Sequence, residues 1–153
     1  MDLQLKGKTA LVGGASMGIG YGIARTLASE GARIVITARR EAGLNAAAEK
    51  LRAETGAEVI PLQADCRRAE DCNRVIGTVK NDLGGVDILV NNDGAPPLGD
   101  LTAFDDVAWS KAVEQTLMYV VRMARGLLPD IIERGGGSVI NITAISAILT
   151  IPG

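Results

Sequence analysis

Residues 13–20 read GGASMGIG, and Gly14, Gly18 and Gly20 are spaced for phosphate chemistry. One glycine of such a set permits a tight turn, one lets the backbone approach a pyrophosphate, and one lets the following helix pack closely on the preceding strand. Backbone N–H groups and the positive end of the helix dipole then hold the anion. Gly14, Ser16, Met17, Gly18, Ile19 and Gly20 are therefore candidate contacts for a phosphate-bearing ligand. Glycines that only shape a turn would give the same letters, so the motif gains weight from what surrounds it. Metal chemistry has little to work with. The chain has no His, and its two cysteines, Cys66 and Cys72, lack metal-ligand spacing. They read as two buried thiols in a reducing cytosol.

The glycine turn needs a strand before it and a helix after it, and the sequence supplies both. Five short, β-branched runs are strand-like: TALVG near Thr9, RIVIT from Arg33, EVIPLQ from Glu58, VDILVN from Val86 and SVINIT from Ser138. Helical patterns lie between them. One carries Ile23 and Leu27 and stops at Glu30-Gly31; another carries Leu44, Ala47, Ala48 and Leu51, with Gly56 beyond its end. A third runs from Val75 to Leu83. The longest follows Asp105-Asp106 through Trp109, Val113, Leu117, Val120 and Val121, is interrupted at Pro129, and ends at the glycines 135–137. Alternation of this kind calls for a parallel sheet covered by helices on both faces, with ligands at the carboxyl ends of the strands where strand order reverses. The expected fold class is α/β, a Rossmann-type doubly wound parallel sheet.

Bulk properties agree with one such domain over residues 1–153. With 153 residues and 47% hydrophobic content, a chain can bury roughly two thirds of its unfolded surface. Aromatics are only 3%, which suits a sheet buried by small-residue helices. The 16 basic and 18 acidic residues leave a net charge of -2 without long runs, which argues against nucleic acid and anionic membranes as partners. The N-terminal stretch MDLQLKGKTALVGG is too short and too polar for a signal h-region or a membrane span. The expectation is a soluble, cytoplasmic protein.

Taken together, GGASMGIG, NNDG at 91–94 and GGGSVINIT at 135–143 resemble the short-chain dehydrogenase/reductase family at matching places along the chain. The resemblance implies a Rossmann-type domain that binds NAD or NADP, and hydride transfer between the nicotinamide and a carbonyl or alcohol. It also implies that Asp65 accepts from the adenine amino group with the Cys66 backbone alongside, and that Asn92, Asp93 and Gly94 run beside the adenosine. Two departures stand out. The family usually has a bracing Thr where this chain has Gly13, and Ala where it has Asp93, whose carboxylate either faces solvent or repels the cofactor phosphates. A flavodoxin-like phosphate binder would explain the alternation but not NNDG together with SVINIT.

The end of the second strand reads TARR. An acid there would bond the ribose 2′-hydroxyl of NAD and repel a 2′-phosphate, but the position holds Ala38, followed by Arg39 and Arg40, which can fork onto phosphate oxygens. NADP is the expected cofactor, ahead of NAD. As an alternative, the two arginines are solvated charges at a strand end.

For catalysis the family uses a Tyr activated by a Lys, a Ser on the fifth strand and an Asn in the long fourth helix. In this chain Ala144 stands at the Ser position and Thr116 at the Asn position, and the Tyr-x-x-x-Lys segment would fall beyond Gly153. The sequence thus leads us to expect a sheet incomplete at its C-terminal edge, with Ile140 and Ile142 uncovered, and a chain that does not reduce carbonyls alone. Ser146 and Thr143 are the candidate substitutes for the missing hydroxyl, or else they satisfy loop backbone groups. Two functions stay open: an oxidoreductase of a small carbonyl or alcohol substrate, and a non-catalytic nicotinamide-nucleotide-binding or regulatory protein. A homo-oligomer is expected, joined through Leu117, Val120, Val121 and Ala124 of the fourth helix.

Overall fold

The computed structural model describes residues 3–92 and 94–144. Five strands, β1 (Thr9–Val12), β2 (Arg33–Ala38), β3 (Val59–Gln63), β4 (Ile88–Asn91) and β5 (Ser138–Asn141), form one sheet in the order β3-β2-β1-β4-β5. Every pairing is parallel, with Leu11 opposite both Val35 and Leu89, and Val90 opposite Ile140. The chain builds outward from β1 to β2 and β3, then returns to the other side of β1 for β4 and β5. Strand order therefore reverses between β1 and β4, and the carboxyl ends of these two strands open a crevice.

Side chains in a strand alternate between the two faces, and here both faces are buried. Ala10, Val12, Ile34, Ile36, Ile88 and Val90 join a core completed by α1 (Gly18–Ser29) and α2 (Glu41–Thr55). Leu11, Val35 and Leu89 point the other way, into a core completed by α3 (Ala69–Asn81) and α5 (Tyr119–Glu133). This is why the strands read as continuous apolar runs rather than alternating ones.

The long fourth helix departs from the sequence expectation in two ways. It is continuous through Pro129, which lies inside α5. Pro129 and Arg125 are both exposed, so the carbonyl left without its donor meets water and the helix is not forced to break. The irregularity falls earlier, where α4 (Asp106–Val113) passes into a π-helical stretch, Glu114–Met118, before α5 begins. An ion pair from Arg122 Nη1 to Glu114 Oε2, 2.5 Å, spans this stretch.

Asp87, just ahead of β4, ties the central strands together. Its Oδ2 accepts the Thr9 backbone N–H at 2.8 Å, and Arg134 and Lys8 approach the same carboxylate at 3.3 and 3.6 Å. On the outer side β5 pairs with β4 and is exposed along its length, with Ile140 and Ile142 partly in solvent. Among the described residues, no helix is long and apolar enough to cross a membrane.

Candidate functional site

The glycine turn links β1 to α1 and is anchored to both neighbouring strands. Gly13 N–H donates to the Val90 carbonyl at 3.0 Å, and Ala15 N–H to the Thr37 carbonyl at 3.1 Å. The Asn92 side-chain amide donates to the Gly13 carbonyl at 3.1 Å. At the glycines of the turn, close approach leaves no room for a side chain. A β-carbon on Gly14 would run into the Asn92 carbonyl oxygen, and one on Gly20 would lie 2.5 Å from the Gly14 oxygen and 2.6 Å from Asn92 Nδ2. Gly14 and Gly18 both have φ of +59°, the left-handed region that glycine enters without strain. Gly18 differs in its surroundings, because a β-carbon there would point into open space.

Beside the turn lies a cavity of about 540 Å³ at the crevice between β1 and β4. Its lining includes Met17, Ile19 and Gly20 of the turn and α1, Asn91, Asn92 and Gly94 after β4, and Thr116, Tyr119, Thr143 and Ala144. Two features fit a nucleotide. Among the described residues no side chain caps the start of α1, which leaves its first N–H groups for an anion. Asn91 is buried, one N–H of its amide donates to Asn141 Oδ1 at 2.8 Å, and among the described residues its own Oδ1 has no partner. A buried acceptor without a partner, on a residue that lines the cavity, suits a hydroxyl donor such as a ribose.

A second, narrower cleft is lined by Arg39, Asp65, Arg67 and Gln115. Ala38, at the end of β2, is buried and Arg39 is exposed. Asp65 is forked by Arg67, with Nε on Oδ1 at 2.8 Å and Nη2 on Oδ2 at 2.6 Å. Those hydrogen bonds hold the Asp65 carboxyl below the usual carboxylate range against its partial burial, helped by the Arg67 N–H and by the charges of Arg67 and Arg39. Cys66 and Cys72 are both buried and are not joined by a disulfide, and the Cys72 thiol donates to the Cys66 carbonyl at 3.3 Å.

A family model described as short chain dehydrogenase matches residues 8–153. The chain belongs to the short-chain dehydrogenase/reductase family. Over 146 residues it is 38% identical to a short chain dehydrogenase of Pseudocercospora fijiensis, which covers 94% of this chain and 47% of that protein. Over 150 residues it is 33% identical to dehydrogenase/reductase SDR family member 4 of Homo sapiens, covering 97% and 54%. The chain thus spans about half the length of the curated relatives it matches. The fold superposes with a TM-score of 0.93 and 38% identity on L-sorbose reductase from Gluconobacter frateurii complexed with NADPH and L-sorbose, covering 97% of this chain and 56% of the other. A metagenomic short-chain oxidoreductase in complex with NADP gives a TM-score of 0.90 at 32% identity.

Within this family fold, the candidate residues divide into two groups. Met17, Ile19, Gly20, Asn92, Gly94, Thr116, Thr143 and Ala144 share the large cavity, with Gly14 and Gly18 in the turn beside it, while Ser16 is half-buried in the same turn. Arg39 and Asp65 share the narrow cleft, and Arg40 is the exposed N-cap residue of α2. Asp93 and Ser146 lie outside the described residues. The Thr116 hydroxyl donates to the Ala112 carbonyl at 2.8 Å, inside the π-helical stretch.

The sequence does not show that Tyr119 meets the glycine turn, and it assigns no site role to Asn91 or Arg67. Tyr119 is buried at the start of α5, and its hydroxyl oxygen lies too close to residue 13 for a β-carbon there to fit. Gly13 is thus more than a lost brace: it makes room for a phenol from α5 against the turn. The signal available was Gly13 itself, a departure with no partner in the neighbouring sequence.

Proposed function

We propose that the chain forms the dinucleotide-binding part of an NADP-dependent oxidoreductase that acts on a small carbonyl or alcohol. One observation carries the cofactor reading: β2 ends in buried Ala38 followed by exposed Arg39, with no carboxylate at the position that would bond a ribose 2′-hydroxyl. The NADPH and NADP named for the structural relatives support it. When bound, NADP(H) supplies or takes up the hydride. The chain's own residues bind and orient: α1 N–H groups and the Gly18 backbone would hold the pyrophosphate, Asn91 Oδ1 would accept from a ribose hydroxyl, and Arg39 would meet the 2′-phosphate. Asp65, with one lone pair of Oδ2 left over by Arg67, would accept from the adenine amino group. Thr116 has given its hydroxyl proton to the Ala112 carbonyl, so toward the cavity it offers acceptor lone pairs that can hold a water.

Calorimetry on the intact polypeptide tests the cofactor reading. NADPH is expected to bind more tightly than NADH, and Arg39→Ala to remove about 1–3 kcal/mol of the difference, the scale of a charge-assisted hydrogen bond. Equal affinities for the two nucleotides would overturn the assignment.

A second reading, a non-catalytic nucleotide-binding protein, draws on Ala144, which brings no hydroxyl to the cavity wall. NADPH consumption by the intact protein against a panel of ketones and aldehydes separates the two. Turnover supports the oxidoreductase, and tight binding without turnover supports the binder.

We further propose self-association through the α4–α5 face, with a revised set of residues. Val120 and Ala124 pack inward against the core, whereas Trp109, Val113, Leu117 and Val121 are exposed. Large apolar side chains left exposed at four-residue spacing along one helix support an interaction site there. Sedimentation is expected to show an oligomer that Leu117→Lys weakens; a monomeric native protein would count against it.

A further inference from the structure

The narrow cleft holds two arginines where the cofactor reading uses one. Arg39, Asp65, Arg67 and Gln115 line it together, and the charge of Arg39 is felt at Asp65. That proximity poses a problem for 2′-phosphate recognition. A phosphate monoester carries close to two negative charges near neutral pH, and the group that draws it in stands beside a carboxylate that repels it. Left to itself, Asp65 would also compete with the phosphate for the Arg39 guanidinium.

Arg67 resolves both conflicts. Its Nε and Nη2 fork onto the two oxygens of Asp65 at 2.8 and 2.6 Å, and its backbone N–H adds a third bond to Oδ1 at 3.2 Å. The fork is planar and bidentate, the arrangement in which a guanidinium holds a carboxylate most firmly. The two side chains are only 40% and 23% exposed, so water screens the pair incompletely. By lone-pair count Oδ1 is filled, and Oδ2 keeps one site for an adenine amino group. The carboxylate thus remains an acceptor while its charge is cancelled.

We propose that Arg67 is a specificity-determining residue, which neutralises Asp65 through the fork and so leaves Arg39 available for the 2′-phosphate. This rests on the reading of the chain as an NADP(H) binder. It separates two functions within one cleft: Arg39 attracts the phosphate, and Arg67 removes what would repel it.

Calorimetric titration of the intact polypeptide with adenosine 2′,5′-bisphosphate and adenosine 5′-monophosphate tests the idea without involving hydride transfer. The native protein is expected to prefer the bisphosphate. Arg67→Ala should lower the ratio of bisphosphate to monophosphate affinity by about tenfold, and measurable monophosphate binding reports that the variant is folded. Adding Asp65→Asn to Arg67→Ala should restore most of the preference, because an amide keeps an acceptor oxygen but has no charge to cancel. A role confined to holding the loop would not be rescued in this way. A preference unchanged in Arg67→Ala, or one that Asp65→Asn fails to restore, would overturn the proposal. The parallel Arg39→Ala titration locates any failure. If the native protein has no preference, the cofactor reading falls and this inference with it. If Arg39→Ala abolishes the preference while Arg67→Ala retains it, only the role of Arg67 falls.

Discussion

Replacing Asp87 by Ala is expected to cost the fold about 2–3 kcal/mol, mostly through one backbone group. The Thr9 N–H is buried at the start of β1, and the Asp87 carboxylate is its acceptor at 2.8 Å. Removing that acceptor leaves a buried donor unsatisfied. The ion-pair partners matter less, because Lys8 and Arg134 are exposed enough for water to take over their charges. The damage would reach the candidate site, since β1 and β4 end in the glycine turn and in Asn91. Asp87→Asn separates the terms: its amide oxygen can still accept from Thr9, so it should recover a large part of the loss. Its pH dependence should differ from that of the native protein. Burial raises the Asp87 carboxyl, but the Thr9 N–H and the charges of Arg134 and Lys8 outweigh it and hold the group below its usual range. A depressed carboxylate contributes stability that is complete above its unfolded pKa, about 3.9, and lost as pH falls through the folded value. Chemical denaturation across pH 2–7 should therefore show the gap between native protein and Asp87→Asn narrowing below about pH 4. A gap constant with pH would mean that the charge contributes nothing.

What could be read from the sequence follows from how far each signal travels along the chain. The five strands were legible because a parallel sheet buried on both faces writes its core as uninterrupted β-branched runs, as in Ile34, Val35 and Ile36. The glycine turn was legible because its geometry is local. Tyr119 was not, since it meets Gly13 only after the sheet and α5 have packed, and neither residue's neighbours announce the other. The π-helical stretch at Glu114–Met118 leaves the apolar spacing of the helix nearly intact, so periodicity could not place it. Pro129 misled for a related reason. Its cost depends on whether the Arg125 carbonyl faces water, which is a property of packing rather than of sequence. The Arg67 fork on Asp65 joins residues two apart, so the pair itself is local, but nothing in the neighbouring sequence says that the arginine turns to this carboxylate rather than to solvent.

The glycine turn offers a comparison in which backbone strain is held constant. Gly14 and Gly18 share a φ of +59°, so Ala at either position pays roughly the 1–2 kcal/mol of a side chain in the left-handed region. Their surroundings differ. A β-carbon on Gly14 would collide with the Asn92 carbonyl oxygen, whose strand end is fixed by β4, whereas one on Gly18 would meet no atom within 4 Å. Overpacking adds about 1–3 kcal/mol at Gly14, for a total of about 2–5 kcal/mol. Gly14→Ala should therefore lower the melting temperature by about 10 °C and Gly18→Ala by somewhat under half of that, on the usual scale for a chain of this size. Nucleotide binding should reverse the ranking once stability is taken into account. The space beside Gly18 is where a pyrophosphate would approach the uncapped end of α1, so a methyl group there obstructs the ligand while hardly disturbing the fold. Below its melting transition, Gly18→Ala should thus lose NADPH affinity out of proportion to its stability. Equal melting temperatures for the two variants would show that φ alone sets the cost and that the approach of Asn92 to the turn contributes nothing. Unaltered NADPH binding by Gly18→Ala would place the phosphates elsewhere than at the start of α1.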